Sequence, residues 1–145
     1  MNSIRIFLVS LCFFFPACSD DGVSPVNLEH RMLWESLGIH HYTVDQQRQC
    51  FCVYGGRTVQ VIVRADTIAS ISSVDTLQPP IQSGPYLSVD SLFGFIEWAR
   101  AFTDAKIEVS YNEEYGYPEL IFFDPLPNAI DDEIAYVTSN FRAIK

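Results

Sequence analysis

Apolar residues recur along this chain with two different periods, and the change of period marks out its elements. Between Ser24 and Gly38, Leu28, Met32, Leu33 and Leu37 recur near helical spacing, which predicts a helix. Ser24 suits the N-cap, Pro25 the first helical position and Gly38 the terminating residue. Trp34 is expected as the packing anchor of this helix, with Glu29, His30 and Glu35 on its surface. The period then shortens to two. Tyr42 and Val44 alternate with Thr43 and Asp45, running toward Cys50 and Cys52, and Gly55-Gly56 turns a hairpin. Val59, Val61 and Val63 line one face of a second strand, and Ala65-Asp66 turns tightly into a third over Thr67 to Val74.

Asp75 to Pro85 breaks the pattern. Pro79, Pro80 and Pro85 block both helix and ladder, so this stretch reads as a crossover loop, with a binding loop as the alternative. Ser88 caps a second helix whose apolar stripe is Val89, Leu92, Phe93, Ile96, Ala99 and Phe102. Three more strands follow. Ile107, Val109 and Tyr111 alternate with Lys106, Glu108 and Ser110; Asn112 to Gly116 turns the chain; Tyr117 to Phe123 returns it. Ile134, Tyr136 and Thr138 alternate in the last. The order α-β-β-β-α-β-β-β predicts an α+β domain: an antiparallel sheet of about six strands with two helices on one face.

The N-terminus belongs to a different class. Arg5 precedes an apolar run from Ile6 to Phe15, small Ala17 follows, and then Cys18 opens the polar stretch Ser19-Asp20-Asp21-Gly22. A cation, a short apolar run and a small residue before a cut are the layout of an export signal. A cysteine directly after that small residue gives it the look of a bacterial lipoprotein signal. Pro16 and the acidic pair close the run short of the roughly 20 residues a transmembrane helix needs. An ordinary cleaved signal is the competing reading. The expected organisation is a signal peptide over 1–17, a lipidated tether over 18–24 and one α+β domain over 25–145. Lipid on Cys18 would hold the chain to a membrane of the cell envelope. The acidic tether either resembles an export tag, favouring the outer membrane or cell surface over the inner membrane, or is a plain solvated spacer.

Charge narrows the function classes. The chain has 18 acidic against 9 basic residues, and loss of Arg5 with the signal takes its net charge from −9 to −10. Nucleic acid is therefore not expected as a partner, since phosphate binding needs clustered Lys and Arg. Once Cys12 leaves with the signal and Cys18 carries lipid, Cys50 and Cys52 are the remaining cysteines. Outside the cytoplasm a disulfide is their first reading. A regular strand would hold residues two apart at about 6.6 Å, near the limit for a bridge, so the pairing needs a bulge or turn at Phe51. Free structural thiols, or a pair clasping copper(I), are the alternatives.

Other candidates carry less chemistry. Tyr115 and Tyr117 flank Gly116 and either offer a recognition surface or cover a sheet edge. Glu113-Glu114, Asp124 and Asp131-Asp132-Glu133 do not follow calcium-loop spacing and read as solvated turns. His40 and His41 are adjacent and would face opposite sides of a strand. Nucleophile-elbow, zinc-protease, phosphate-loop and dinucleotide signatures are all missing, so the sequence leans away from an enzyme, and neither a cofactor nor a metal is expected.

Several segments together resemble one family. They are the Tyr-rich strand ending in Cys50-Phe51-Cys52, the helix start Ser88-Val89-Asp90-Ser91-Leu92-Phe93, the hairpin Tyr115-Gly116-Tyr117-Pro118 and the turn Asp131-Asp132-Glu133. Their order is similar to that of a bacterial family of unknown function, frequent among small secreted or lipid-anchored proteins. The likeness spans Leu28 to Phe141 and departs at Ala65-Asp66, where the family would have Asp-Gly. It implies an address and a fold but no activity. The expected role is a lipid-anchored, non-catalytic accessory or interaction domain that leaves room for a protein partner. A thiol/disulfide or copper(I)-handling protein using Cys50 and Cys52 is the second reading, and a carboxylate-based enzyme the third.

Overall fold

A computed structural model of the chain describes residues 25–77 and 79–144. The signal, Cys18 and the cap residue Ser24 lie outside the described residues. The elements follow the expected order: α1 (Pro25–Ser36), β1 (His41–Gln49), β2 (Thr58–Arg64), β3 (Thr67–Ser73), α2 (Val89–Arg100), β4 (Lys106–Tyr111), β5 (Pro118–Asp124) and β6 (Ile134–Ala143).

The six strands form one open antiparallel sheet in the order β3-β2-β1-β6-β5-β4. Two three-strand meanders therefore meet at a central ladder of β1 against β6, with Tyr42 opposite Ala143 and Gln49 opposite Ala135. Alternation explains the single core. Tyr42, Val44 and Gln46 of β1 lie beside Val63, Val61 and Val59 of β2 on one face, and all six are buried. Across the seam the same face carries Tyr136 and Thr138 of β6, then Ile121 and Phe123 of β5.

Helix α2 covers this face, with Val89, Leu92, Phe93, Ile96 and Ala99 buried. Its start is doubly fixed. Ser88 Oγ accepts from Ser91 N–H, and the Tyr42 hydroxyl accepts from Val89 N–H at 2.8 Å. Phe102 departs from the expected stripe. The helix ends at Arg100, and Phe102 is partly exposed, packing edge-on against Trp98 and Phe123.

Helix α1 buries a different face from the expected one. Leu28, Met32 and Leu37 are exposed, and the inward residues are Asn27 and Trp34. The reason is the surface α1 meets. His30 stacks on Tyr111 with ring centroids 4.3 Å apart, and Asn27 Oδ1 accepts from the Tyr111 hydroxyl at 2.7 Å. Trp34 sits edge-on to Tyr42 and Phe141 and donates Nε1–H to Asp90 at 3.1 Å. Polar and aromatic side chains thus make the contact that an aliphatic stripe makes in most amphipathic helices. The β4–β5 hairpin reaches α1 through Gly116. A Cβ there would fall 2.4 Å from the His30 carbonyl oxygen, and its φ is +78°.

Candidate functional site

All of these α1 contacts lie at one end of the sheet, where β1 begins and β4 ends. The cysteines lie at the other end, where β1 finishes. The β1–β2 ladder stops at Gln47 opposite Thr58, so Cys50 to Cys52 sit in the connection between the strands. That turn brings the two Cα atoms to 5.3 Å, and the sulfurs are bonded. The connection is braced by its backbone: Gly55 N–H donates to the Cys52 carbonyl at 3.0 Å, and Gly56 N–H to the Arg48 carbonyl at 2.8 Å. Gln47 Nε2 donates to the Gly56 carbonyl at 2.7 Å. Gly55 is required by space, because a Cβ would lie 2.3 Å from the Cys50 carbonyl oxygen. A bridge closing so short a loop removes little chain entropy, worth about 1.6 kcal/mol.

The two sulfurs have different surroundings. Cys52 Sγ accepts from Arg48 Nη1 at 3.2 Å. Arg48 also faces the Tyr136 hydroxyl: burial raises the pKa of that phenol, and Arg48 offsets part of the rise. Cys50 instead lines a shallow cavity of about 320 Å3, with Gln49, Phe51, Phe122, Asp131, Glu133 and Ala135. Its lining joins apolar Phe51, Phe122 and Ala135 to the exposed carboxylates of Asp131 and Glu133. The opposition of Gln49 to Ala135 and of Ala135 to Phe122 carries this set together from β1, β6 and β5.

The tip of the connection is apolar and open. Phe51 is 86% exposed and Val53 77%, with Tyr54 partly exposed beside them under the Arg57 guanidinium. Nearby on the chain leading into β6, Ile130 is also exposed. Asp132 differs from its neighbours in the acidic turn: both its carboxylate oxygens are enclosed without a hydrogen-bond partner, whereas Asp131 and Glu133 face the cavity. The expectation of a wholly solvated turn fails at that residue.

The tyrosine pair does not form an exposed patch. Tyr117 is only 4% exposed, Tyr115 is half-buried, and both rings pack on Phe141 with centroids 5.0 Å away. They close the end of the core beside α1. A second cavity, of about 520 Å3, lies at that same end between α1 and the start of α2. It contains His40, whose Nδ1 is 2.9 Å from Asp66, together with Ser88, Ser91 and Asp90. The two serine hydroxyls bond each other at 2.9 Å, and neither is hydrogen-bonded to His40, so no activated nucleophile is assembled. Among the described residues no group of three or more His, Cys, Asp or Glu side chains converges as a metal site requires. No helix among them is long and apolar enough to cross a membrane.

Sequence reasoning singled out the cysteines but not Arg48, Phe122, Asp131 or Glu133 as their neighbours. The acidic turn and the β5 strand were legible separately; their meeting with Cys50 depends on the non-local pairing of β1 with β6. No curated protein and no solved structure matches this chain. Residues 27–143, most of its length, match the family of unknown function DUF6174, and the chain belongs to that family.

Proposed function

We propose that this protein is a lipid-anchored accessory domain of the cell envelope, held through Cys18, that contacts a protein partner with its disulfide-tied tip. One observation carries the reading. The described domain concentrates exposed Phe51 and Val53 on a cross-linked turn at the end of the sheet opposite the start of α1. A chain tethered ahead of Pro25 would present that turn away from the membrane, roughly one strand length, about 30 Å, beyond the α1 end. Rigid aromatic and branched side chains bind at low entropic cost, so a braced apolar tip suits a contact surface better than a catalytic cleft.

Two measurements test this. Intact-mass analysis of membrane-extracted protein should show cleavage before Cys18 and an acyl adduct there, and C18S should leave the membrane fraction. A photo-cross-linking side chain placed at position 51 should give a discrete adduct in cells. The same group at exposed Met32, on α1, should not. Unmodified Cys18, or equal labelling from both positions, defeats the proposal.

A further inference from the structure

The asymmetric setting of the two sulfurs points to a chemistry for that contact. We propose that the Cys50–Cys52 disulfide is exchangeable and captures a cysteine-bearing polypeptide reversibly. The partner cysteine would be flanked by basic and apolar residues. This rests on the reading of the tip as a contact surface and names what the partner must carry.

The partner's thiol loses its proton to solvent, and its thiolate attacks Cys50 Sγ from the cavity that Cys50 lines. A bond forms between the partner's sulfur and Cys50 as the Cys50–Cys52 bond breaks. The bonding pair leaves with Cys52 Sγ as a thiolate. That sulfur already lies 3.2 Å from the Arg48 guanidinium, so the leaving group gains its counter-charge without rearrangement. A leaving thiol of lower pKa departs faster. Release is the reverse step, in which the Cys52 thiolate attacks Cys50 and expels the partner. No outside oxidant or reductant enters.

The fold survives opening of the bridge. The turn is held by the Gly55, Gly56 and Gln47 hydrogen bonds, none of which uses sulfur. The buried core lies beneath α2 and includes neither cysteine. The sulfurs therefore stay close for the return attack. Selectivity comes from the rim: Asp131 and Glu133 repel an anionic thiol and attract a cationic one, while Phe51 and Phe122 offer apolar area.

The test compares disulfide exchange in the folded protein with that in a cyclised peptide of residues 48–54. Cysteamine and 3-mercaptopropionate are the cationic and anionic probes, and each rate is divided by its rate on the peptide. At low ionic strength the protein should prefer cysteamine about five- to tenfold. D131N/E133Q should abolish that preference. R48Q should slow both probes about three- to tenfold and R48K should restore most of the rate. Alkylation of the reduced protein across pH should show Cys52 reacting at lower pH than Cys50 in the wild type, and this gap should close in R48Q. Acid-quenched mixed disulfides should map to Cys50. Adducts on Cys52, an unchanged rate in R48Q or equal normalised rates for both probes would overturn the proposal. Cross-linking from position 51 in C50S/C52S protein separates the two ideas. Adducts that persist while wild-type protein shows no exchange leave the contact surface standing and remove the thiol chemistry.

Discussion

Replacing Tyr42 by Phe isolates one buried hydrogen bond without changing the shape of the core. The Tyr42 ring is fully buried between α1 and α2, and its hydroxyl accepts from the first amide of α2, Val89 N–H, at 2.8 Å. Burial pushes this hydroxyl well above the ordinary tyrosine pKa, so it stays a neutral phenol at every physiological pH. Y42F keeps the ring and leaves Val89 N–H, on a residue with no exposure, without an acceptor. An orphaned buried donor costs about 1–3 kcal/mol, and about 2 kcal/mol is expected here. For a domain of this size that lowers Tm by roughly 6–10 °C. Tyr136 supplies the control. Its ring is also buried, but its hydroxyl donates to the carbonyl of exposed Pro85 at 3.0 Å, which water can satisfy instead. Y136F should cost below about 1 kcal/mol. Urea unfolding followed by circular dichroism, with equal m-values, measures both. Equal losses in the two variants, or a Y42F loss under about 0.5 kcal/mol, would refute the role given to the Val89 amide.

Three further outcomes are expected. Gly116→Ala should destabilise by more than about 2 kcal/mol in a urea melt, because its φ of +78° and the His30 carbonyl 2.4 Å from a new Cβ act together. Reducing the disulfide, or C50S/C52S, should lower stability by no more than about 1.6 kcal/mol and leave the far-ultraviolet dichroism unchanged; global unfolding would contradict this. Alkaline pH should unfold the domain. Burial raises the hydroxyl pKa of Tyr42, Tyr86, Tyr111, Tyr117 and Tyr136, and hydrogen bonding to Glu114 raises that of Tyr115. The unfolded chain then releases protons from about pH 10 while the native one holds them, so stability is intact below that pH and falls above it. Phenolate absorbance of the four buried rings and half-buried Tyr111 should rise together with loss of dichroism, and gradual titration within the folded state would count against it.

The strands were legible where burial alternates along them, most regularly in β2 and β4. Val59, Val61 and Val63 announce an inward face, and the paired strand repeats it with Tyr42 and Val44. Helix α2 was legible for the same reason at helical spacing, with Ser88 as its marker. Helix α1 was legible as a helix but not in its orientation. Its most apolar residues, Leu28, Met32 and Leu37, are exposed, while Asn27, His30 and Trp34 meet Tyr111, Tyr42 and Phe141. Periodicity weighs hydrophobicity and is blind to an amide oxygen that a phenol satisfies. The cysteine turn was visible as a pair that a straight strand could scarcely bridge. The cation beside Cys52 and the acidic rim beside Cys50 were not, since Glu133 and Cys50 become neighbours only through the seam between the meanders.

That seam also decides when the molecule can exist. Because β1 is zipped to β6, the leading meander and the β4–β5 hairpin remain two half-sheets with raw inner edges until β6 is delivered. Synthesis cut short before Ile134 yields not a smaller version of the domain but two sticky fragments lacking their shared midline. A nascent chain therefore stays pliant until β6 has emerged, and the zipping of β6 onto β1 is the event that commits it to shape.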